Sequence, residues 1–257
     1  MDFTLEKYGE LLTALARHKD HRIRHDVDLK PEFSLRVAQL EASRGAKANY
    51  YFRSMHFASH ADTIKAIVAL GHEAGYHYEC LTTTHGNMAA AYEDFCRNLE
   101  RLRQLVPVRT ACAHGSPRSP WNSQDIWNQY DIHALGIDYE PMLDTDFSKT
   151  LYLTDTGRRW DGYRVSVRDK VPQQQLQWSQ EGLVFHITDD IIHAINDLNH
   201  PIHRKALLIN THPQRWMPFG VEWIAEAGTQ WWKNVAKSLI VKNVERNENQ
   251  LDHTRKP

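Results

Sequence analysis

Residues 22–28, Arg22-Ile23-Arg24-His25-Asp26-Val27-Asp28, end a short strand-like run just before a helix start at Pro31. Side chains of an extended strand alternate with period two, so Asp26 and Asp28 leave it on the same side and can share one site. Two carboxylates so close repel each other, and a bound metal ion or a retained proton relieves the repulsion. Taken alone, the pair also reads as a solvated turn that caps the following helix. The rest of the chain bears on that choice.

Upstream, Leu5, Tyr8, Leu12 and Leu15 at helical spacing mark an opening helix. Downstream, the chain alternates. A helix from Pro31 carries Phe33, Val37 and Leu40 and stops at Gly45; Asn49 to Phe52 is a strand; Ile64, Ile67 and Val68 mark a helix ending before Gly71. The segment 72–79 follows, then an amphipathic helix with Tyr92, Phe95, Leu99, Leu102 and Val106, then a strand at 110–114. The stretch 117–184 reads as mixed structure, with strands expected at 132–137 and 151–154 and a helix between Ser123 and Tyr130. Ordered segments return at 183–188, in a helix near 191–198 and in the apolar strand 206–210. A last helix carries Ile224, Trp231, Val235 and Leu239 at core-covering spacing, and Trp223, Trp231 and Trp232 are expected in the core.

Alternating strands and helices define an α/β chain with a parallel sheet, whose ligands gather at the carboxyl ends of the strands. The residues predicted there are Asp26, Asp28, Arg53, His77, Glu79, His114 and His212. These are metal ligands and acid-base groups, and their falling independently on successive strand ends favours a shared site over a capping turn.

The net charge of −1 on 257 residues excludes the basic balance of a nucleic-acid binder. No run approaches the roughly 18 apolar residues of a membrane span, and the N-terminus lacks a signal-peptide layout, so a cytoplasmic location is expected. Cys80, Cys96 and Cys112 lack metal-ligand spacing and read as buried thiols. With no repeat or linker, residues 1–243 are expected to form one domain and 244–257 a polar tail.

The strand-end Asp26-Val27-Asp28, the run Gly71-His72-Glu73-Ala74-Gly75-Tyr76-His77 and the strand closing at Leu208 to His212 together resemble the NodB-homology polysaccharide deacetylases, carbohydrate esterase family four. The resemblance spans Arg24 to about His212. It implies an irregular (β/α) barrel of about seven parallel strands and removal of acyl groups from amino sugars with a divalent metal, most commonly Zn2+. The phrases 24–28, 154–160 and 211–216 further resemble a subgroup associated with bacterial surface-polysaccharide gene sets. By position, the resemblance implies Asp26 as general base, Asp28 and His77 as metal ligands and His212 as general acid.

Two departures stand out. Where the family pattern has a second His, four residues after the first, this chain has Leu81. Glu79, His85 and His114 are the candidates for a third ligand, with His114 favoured because it closes the next strand. The Arg that orients the base in the family is also missing from its usual motif, and Arg24, Arg53 and Arg118 are the available substitutes. His25 and His72 read as supporting or structural residues.

Arg53 can alternatively grip a substrate carboxylate or phosphate. Arg159 and Trp160, within Arg158-Arg159-Trp160-Asp161, combine an anion fork with a stacking surface, and Trp216 follows His212 closely enough to wall the site. The expected function is metal-dependent hydrolysis of an N-acetyl or N-formyl group from an amino sugar. A cytoplasmic location makes the partner a nucleotide- or lipid-linked precursor of a surface polysaccharide such as O-antigen. A non-catalytic saccharide-binding protein and a metal-independent ureide amidohydrolase are the alternatives.

Overall fold

The computed structural model describes residues 1–116, 119–164, 166, 168–232 and 234. Arg118, Val235, Leu239 and the expected tail from Val244 lie outside them. The elements, in chain order, are α1 (Leu5–Leu15), β1 (His21–Val27), α2 (Pro31–Ser43), β2 (Ala48–Phe52), α3 (Ala61–Ala69), β3 (Glu73–Tyr78), α4 (Cys80–Thr83), α5 (Met88–Arg103), β4 (Ala111–Ala113), α6 (Pro141–Asp144), β5 (Thr150–Thr154), α7 (Pro172–Gln180), α8 (Thr188–Asn196) and β6 (Ala206–Thr211). All strand pairs are parallel, in the order β4-β3-β2-β1-β6-β5, and the sheet curls into a half-barrel within a single α/β domain.

Among the described residues the sheet has six strands, against the expected seven or so. Residues 132–137 are not a strand: they make a single helical turn, His133–Leu135, closed by Gly136 at φ +72°. Ile132 and Ile137 are buried there as anchors, which accounts for the apolar run that suggested a strand. Residues 183–187 likewise form no strand.

The alternation of each strand sorts its residues between two environments. Ile23, His25 and Val27 of β1 face the helices, and Arg24 and Asp26 face the barrel interior, where Asp26 lies in register with Tyr51 of β2 and Arg24 with Asn210 of β6. Tyr51 in turn lies opposite Gly75 of β3. A Cβ at Gly75 would stand 2.6 Å from the Tyr51 ring and 2.7 Å from Thr110 Oγ1, so glycine makes room for that ring inside the barrel.

On the helix side, Glu41 of α2 is fully buried. It accepts hydrogen bonds from the hydroxyls of Tyr8 and Tyr50, both 2.5 Å, and lies 2.8 Å from His25 Nε2. His25 Nδ1 lies 2.7 Å from Thr211 Oγ1. These bonds tie α1, α2, β1, β2 and β6 together directly behind the strand ends. His72 is also structural: it accepts from Ala48 N at 3.2 Å and reaches Ala38 O at 3.0 Å.

The final helical segment, residues 221–232, departs from expectation. Ile224, Trp231 and Trp232 are 57, 58 and 68% exposed, so they face outward among the described residues instead of covering the core. Trp223 packs inward, donating to Phe3 O at 2.9 Å beneath the Arg158 guanidinium. Among the described residues, no helix is long and apolar enough to cross a membrane.

Replacing Glu41 with Ala leaves two buried hydroxyls and an imidazole without their acceptor. The expected loss is about 3–5 kcal/mol in urea denaturation, and a loss under about 0.5 kcal/mol would show that the cluster does not hold the helices to the sheet.

Candidate active site and metal centre

The interior-facing positions of five strands converge at their carboxyl ends. Asp26 ends the inward column of β1, and Asp28 follows one turn on, its N–H donating to Asp26 O at 3.1 Å. His77 comes from β3, His114 follows β4, Asp155 follows β5 and His212 follows β6. All but Asp155, which is fully buried behind His212, border a cleft of about 360 Å³, lined also by Ser116, Asn122, Gln124, Arg168, Lys170 and Arg215.

Asp28, His77 and His114 form a group that could hold a metal ion. Asp28 Oδ1 lies 3.4 Å from His77 Nε2 and 3.5 Å from His114 Nε2, and the three donor atoms lie within 4.8 Å of one another. That carboxylate oxygen is buried and accepts no hydrogen bond, an orphaned acceptor of the kind a cation satisfies. Each imidazole is oriented through its other nitrogen, His77 Nδ1 by the Cys112 carbonyl at 3.0 Å and His114 Nδ1 by Glu79 Oε2 at 3.1 Å and Ser116 Oγ at 2.9 Å. Two nitrogens and one oxygen, with the cleft open beside them, suit a catalytic divalent ion such as zinc. Asp26, His77 and Cys112 form a second, inner group. With Nδ1 committed to a carbonyl, His77 has only Nε2 to give, so the two groups cannot both be used.

Burial would raise the Asp28 carboxyl, but the adjacent imidazoles of His77, His114 and His212 outweigh it and hold Asp28 ionised, far below the ordinary carboxylate range. Glu79 behaves similarly. Burial opposes ionisation, yet His114 and Arg53 bring its pKa down to about 2. Of the three candidate third ligands, His114 is the one that stands with Asp28 and His77. Glu79 orients it, and His85 packs near Trp121 in the turn after α4.

Asp26 is held from one side only. Arg24 Nη2 and Asn210 Nδ2 both donate to its Oδ2 at 2.9 Å, and Oδ1 is left without a partner. Arg24 lies 5.9 and 5.7 Å from the ring centres of Tyr51 and Tyr152. Against the upward push of burial, Arg24, His77 and His212 lower the Asp26 pKa. Arg24 thus occupies the place for which Arg53 and Arg118 were the other candidates; Arg53 pairs with Glu79 at 2.6 Å, and Arg118 is outside the described residues.

His212 is set by a residue that sequence reasoning missed. Asp155, fully buried, lies 2.6 Å from His212 Nδ1 and accepts from the His212 N–H at 3.0 Å, Arg215 Nη1 at 2.5 Å and Trp216 Nε1 at 2.7 Å. His212 Nε2 lies 3.7 Å from Asp28 Oδ2. The available signal was position: Asp155 is the first residue past an apolar strand, the same place that Asp28 occupies after β1.

Four residues expected to touch substrate stand elsewhere. Trp216 and Trp160 are 1 and 5% exposed and pack against Phe3 in the core, with ring centres 5.1 and 6.2 Å away. The Trp216 indole N–H serves Asp155, and that of Trp160 serves Thr188 at 3.0 Å. Arg159 pairs with Asp161 at 2.7 Å and Arg53 with Glu79. None of the four lines the cleft.

Comparison with known proteins finds no matching family model and no matching curated protein. Among solved structures, the chain is similar to a carbohydrate esterase of family four from Streptococcus mutans (12% identity, 89% of this chain, 87% of that one, TM-score 0.45) and to one from Streptomyces lividans in complex with acetate (13%, 86%, 91%, 0.42). It is similar also to a family-four pseudoenzyme from Bacillus anthracis, in a mutant form with restored enzymatic activity (13% identity, 86% of this chain, TM-score 0.41), of which it spans 64%. These are distant likenesses of shape.

Two outcomes are expected here. Glu79→Gln should weaken zinc binding roughly 10- to 100-fold in competition with a chromophoric chelator, and His114→Ala should weaken it further; unchanged affinity in His114→Ala removes that residue from the set. Asp155, buried, is brought down to about 2 by Arg215 and His212 despite the cost of burial. A depressed folded-state pKa stabilises the fold above the unfolded value near 3.9, and that stabilisation is lost as pH falls towards 2; it amounts to about 2 kcal/mol. Urea melts at pH 5 and pH 2.5 should therefore show a smaller acid-induced loss in Asp155→Asn than in the parent protein.

Proposed function

We propose that this protein is a metal-dependent N-deacylase of an amino sugar, removing an acetyl or formyl group. We further propose that it acts in the cytoplasm on a nucleotide- or lipid-linked precursor of a surface polysaccharide such as O-antigen. The observation that carries the reading is the grouping of a free carboxylate oxygen, Asp26 Oδ1, and an imidazole nitrogen, His212 Nε2, around the donor set Asp28, His77 and His114.

Amide hydrolysis needs a deprotonated nucleophile and a protonated leaving amine. Asp28, His77 and His114 would hold a divalent ion, which would supply Lewis acidity and a water of lowered pKa. Asp26, kept ionised by Arg24 and Asn210, takes the proton of the attacking water at Oδ1. His212 delivers a proton from Nε2 to the departing nitrogen, while Asp155 and Arg215 against Nδ1 fix the ring.

The saccharide-binding alternative drew on Leu81. That side chain is 2% exposed in the core, and His114 supplies the nitrogen beside Asp28 and His77 instead, which favours the catalytic reading.

With a nucleotide-linked N-acetylhexosamine as substrate and released acetate as readout, Asp26→Asn and His212→Ala should each lower kcat roughly 100- to 10,000-fold. Chelation should abolish turnover and added Zn2+ restore it. Full activity in Asp26→Asn, or turnover indifferent to chelation, overturns the assignment.

A further inference from the structure

The arginines that the sequence offered for an anion are occupied: Arg53 by Glu79 and Arg159 by Asp161. The basic residues that line the cleft are Arg24, Arg168, Lys170 and Arg215. Arg24 is matched by Asp26 and Arg215 by Asp155. Arg168 and Lys170 have no carboxylate partner among the described residues. Arg168 donates only to backbone carbonyls, those of Gly115 at 3.1 Å, Ser116 at 3.2 Å and Ser119 at 2.5 Å, so its charge is anchored without being neutralised. The Lys170 ammonium makes no hydrogen bond or ion pair among the described residues. Asp169 between them is committed to β5 and its extension, accepting from Tyr152 at 2.5 Å, Thr154 at 2.7 Å and Thr156.

The cleft also lacks what a neutral glycan uses. Among its described lining residues there is no Phe, Tyr or Trp, its aromatic rings being the imidazoles of His77, His114 and His212, and the apolar lining is confined to Ala113, Met142 and Pro172. Sugar faces pack on aromatic rings, whereas phosphates are held by fixed cations and hydrogen-bond donors. A divalent ion on Asp28, His77 and His114 would cancel the acidic side of the cleft and leave the Arg168 and Lys170 wall as a field that attracts anions.

We propose that Lys170, backed by the fixed charge of Arg168, is a specificity-determining subsite for a phosphate ester carried by the substrate, adjacent to the sugar whose acyl group reaches Asp26 and His212. The proposal rests on the deacylase reading. Arg168 also holds the loop after β4 in place, so Lys170 is the residue whose replacement reports on recognition alone.

The experiment compares N-acetylhexosamine 1-phosphate with the uncharged methyl glycoside of the same sugar, using the full-length zinc-loaded protein. The parent protein should show a KM at least tenfold lower for the phosphate ester. Lys170→Met should erase most of that advantage, with kcat within about twofold and the methyl glycoside unaffected, and Lys170→Arg should preserve it. Equal effects on both substrates, or none, overturn the proposal, as does a Lys170-dependent preference for a uronic acid substrate over the phosphate ester. Titration of the sugar phosphate into Asp26→Asn protein, with and without Lys170→Met, reads the subsite without turnover. If no sugar is deacylated, the deacylase reading fails while this titration still decides the subsite. Binding lost in Asp28→Asn but kept in Lys170→Met would place the phosphate on the metal and overturn the subsite.

Discussion

The cleft depends on burying Arg24 and Asp26 together inside the half-barrel. A buried ion pair carries a desolvation cost of several kcal/mol per ion, recovered only when the remaining hydrogen-bonding capacity is filled. Here the filling is asymmetric. Asp26 Oδ2 takes both Arg24 and Asn210, and Oδ1 takes nothing. Arg24 Nε and Nη1 and Asn210 Oδ1 are likewise without partners among the described residues, so the unfilled capacity gathers around Asp26. Both oxygens are filled at Asp155, which His212, Arg215 and Trp216 surround, and at Glu41, where two tyrosines and His25 lock the outer face of β1. Three buried carboxylates therefore organise the molecule, each at a junction of elements that must not slip relative to the others.

Register is the second constraint. In a parallel sheet, a one-residue shift of β1 against β6 would turn Asp26 to the helix side and His25 to the interior. The His25 to Thr211 contact lies directly across from that risk, since those two residues are register partners on the outer face. Behind the sheet, the Glu41 cluster thus maintains the alignment that lets Asp26 and His212 meet in front of it.

Strand ends were legible because period-two alternation is local: Asp26, Asp28, His77 and His114 could be assigned to one face without knowing how the sheet curls. What sequence could not supply was the identity of partners distant along the chain. Arg159 read as free because Asp161 is two residues away and its pairing depends on a turn; Trp160 and Trp216 read as stacking surfaces because nothing in the sequence places Phe3, from the opposite end of the chain, over them. Asp155 was overlooked among showier neighbours, although it ends a strand as Asp28 does. Apolar spacing also misled at 221–232, where helical periodicity marks a face without saying that anything covers it.

The placement of His114 beside Asp28 and His77 depends on the loop after β4, and Arg168 is what holds that loop. Past Tyr78 the chain leaves the strand and winds into α4, so position 81 turns into the core, and Leu81 suits it. His114 reaches the site from a loop, and loops place side chains less firmly than strands do. Ser116, which hydrogen-bonds the His114 ring, sits at φ +33°, a conformation that a non-glycine residue holds only when its surroundings impose it. Arg168 imposes it, gripping the carbonyls on either side of that loop. One guanidinium therefore supports the loop that carries His114 and adds its charge to that wall of the cleft. Any ligand drawn to that wall bears on the same loop that aims His114, which joins recognition of an anion to the geometry of the metal set.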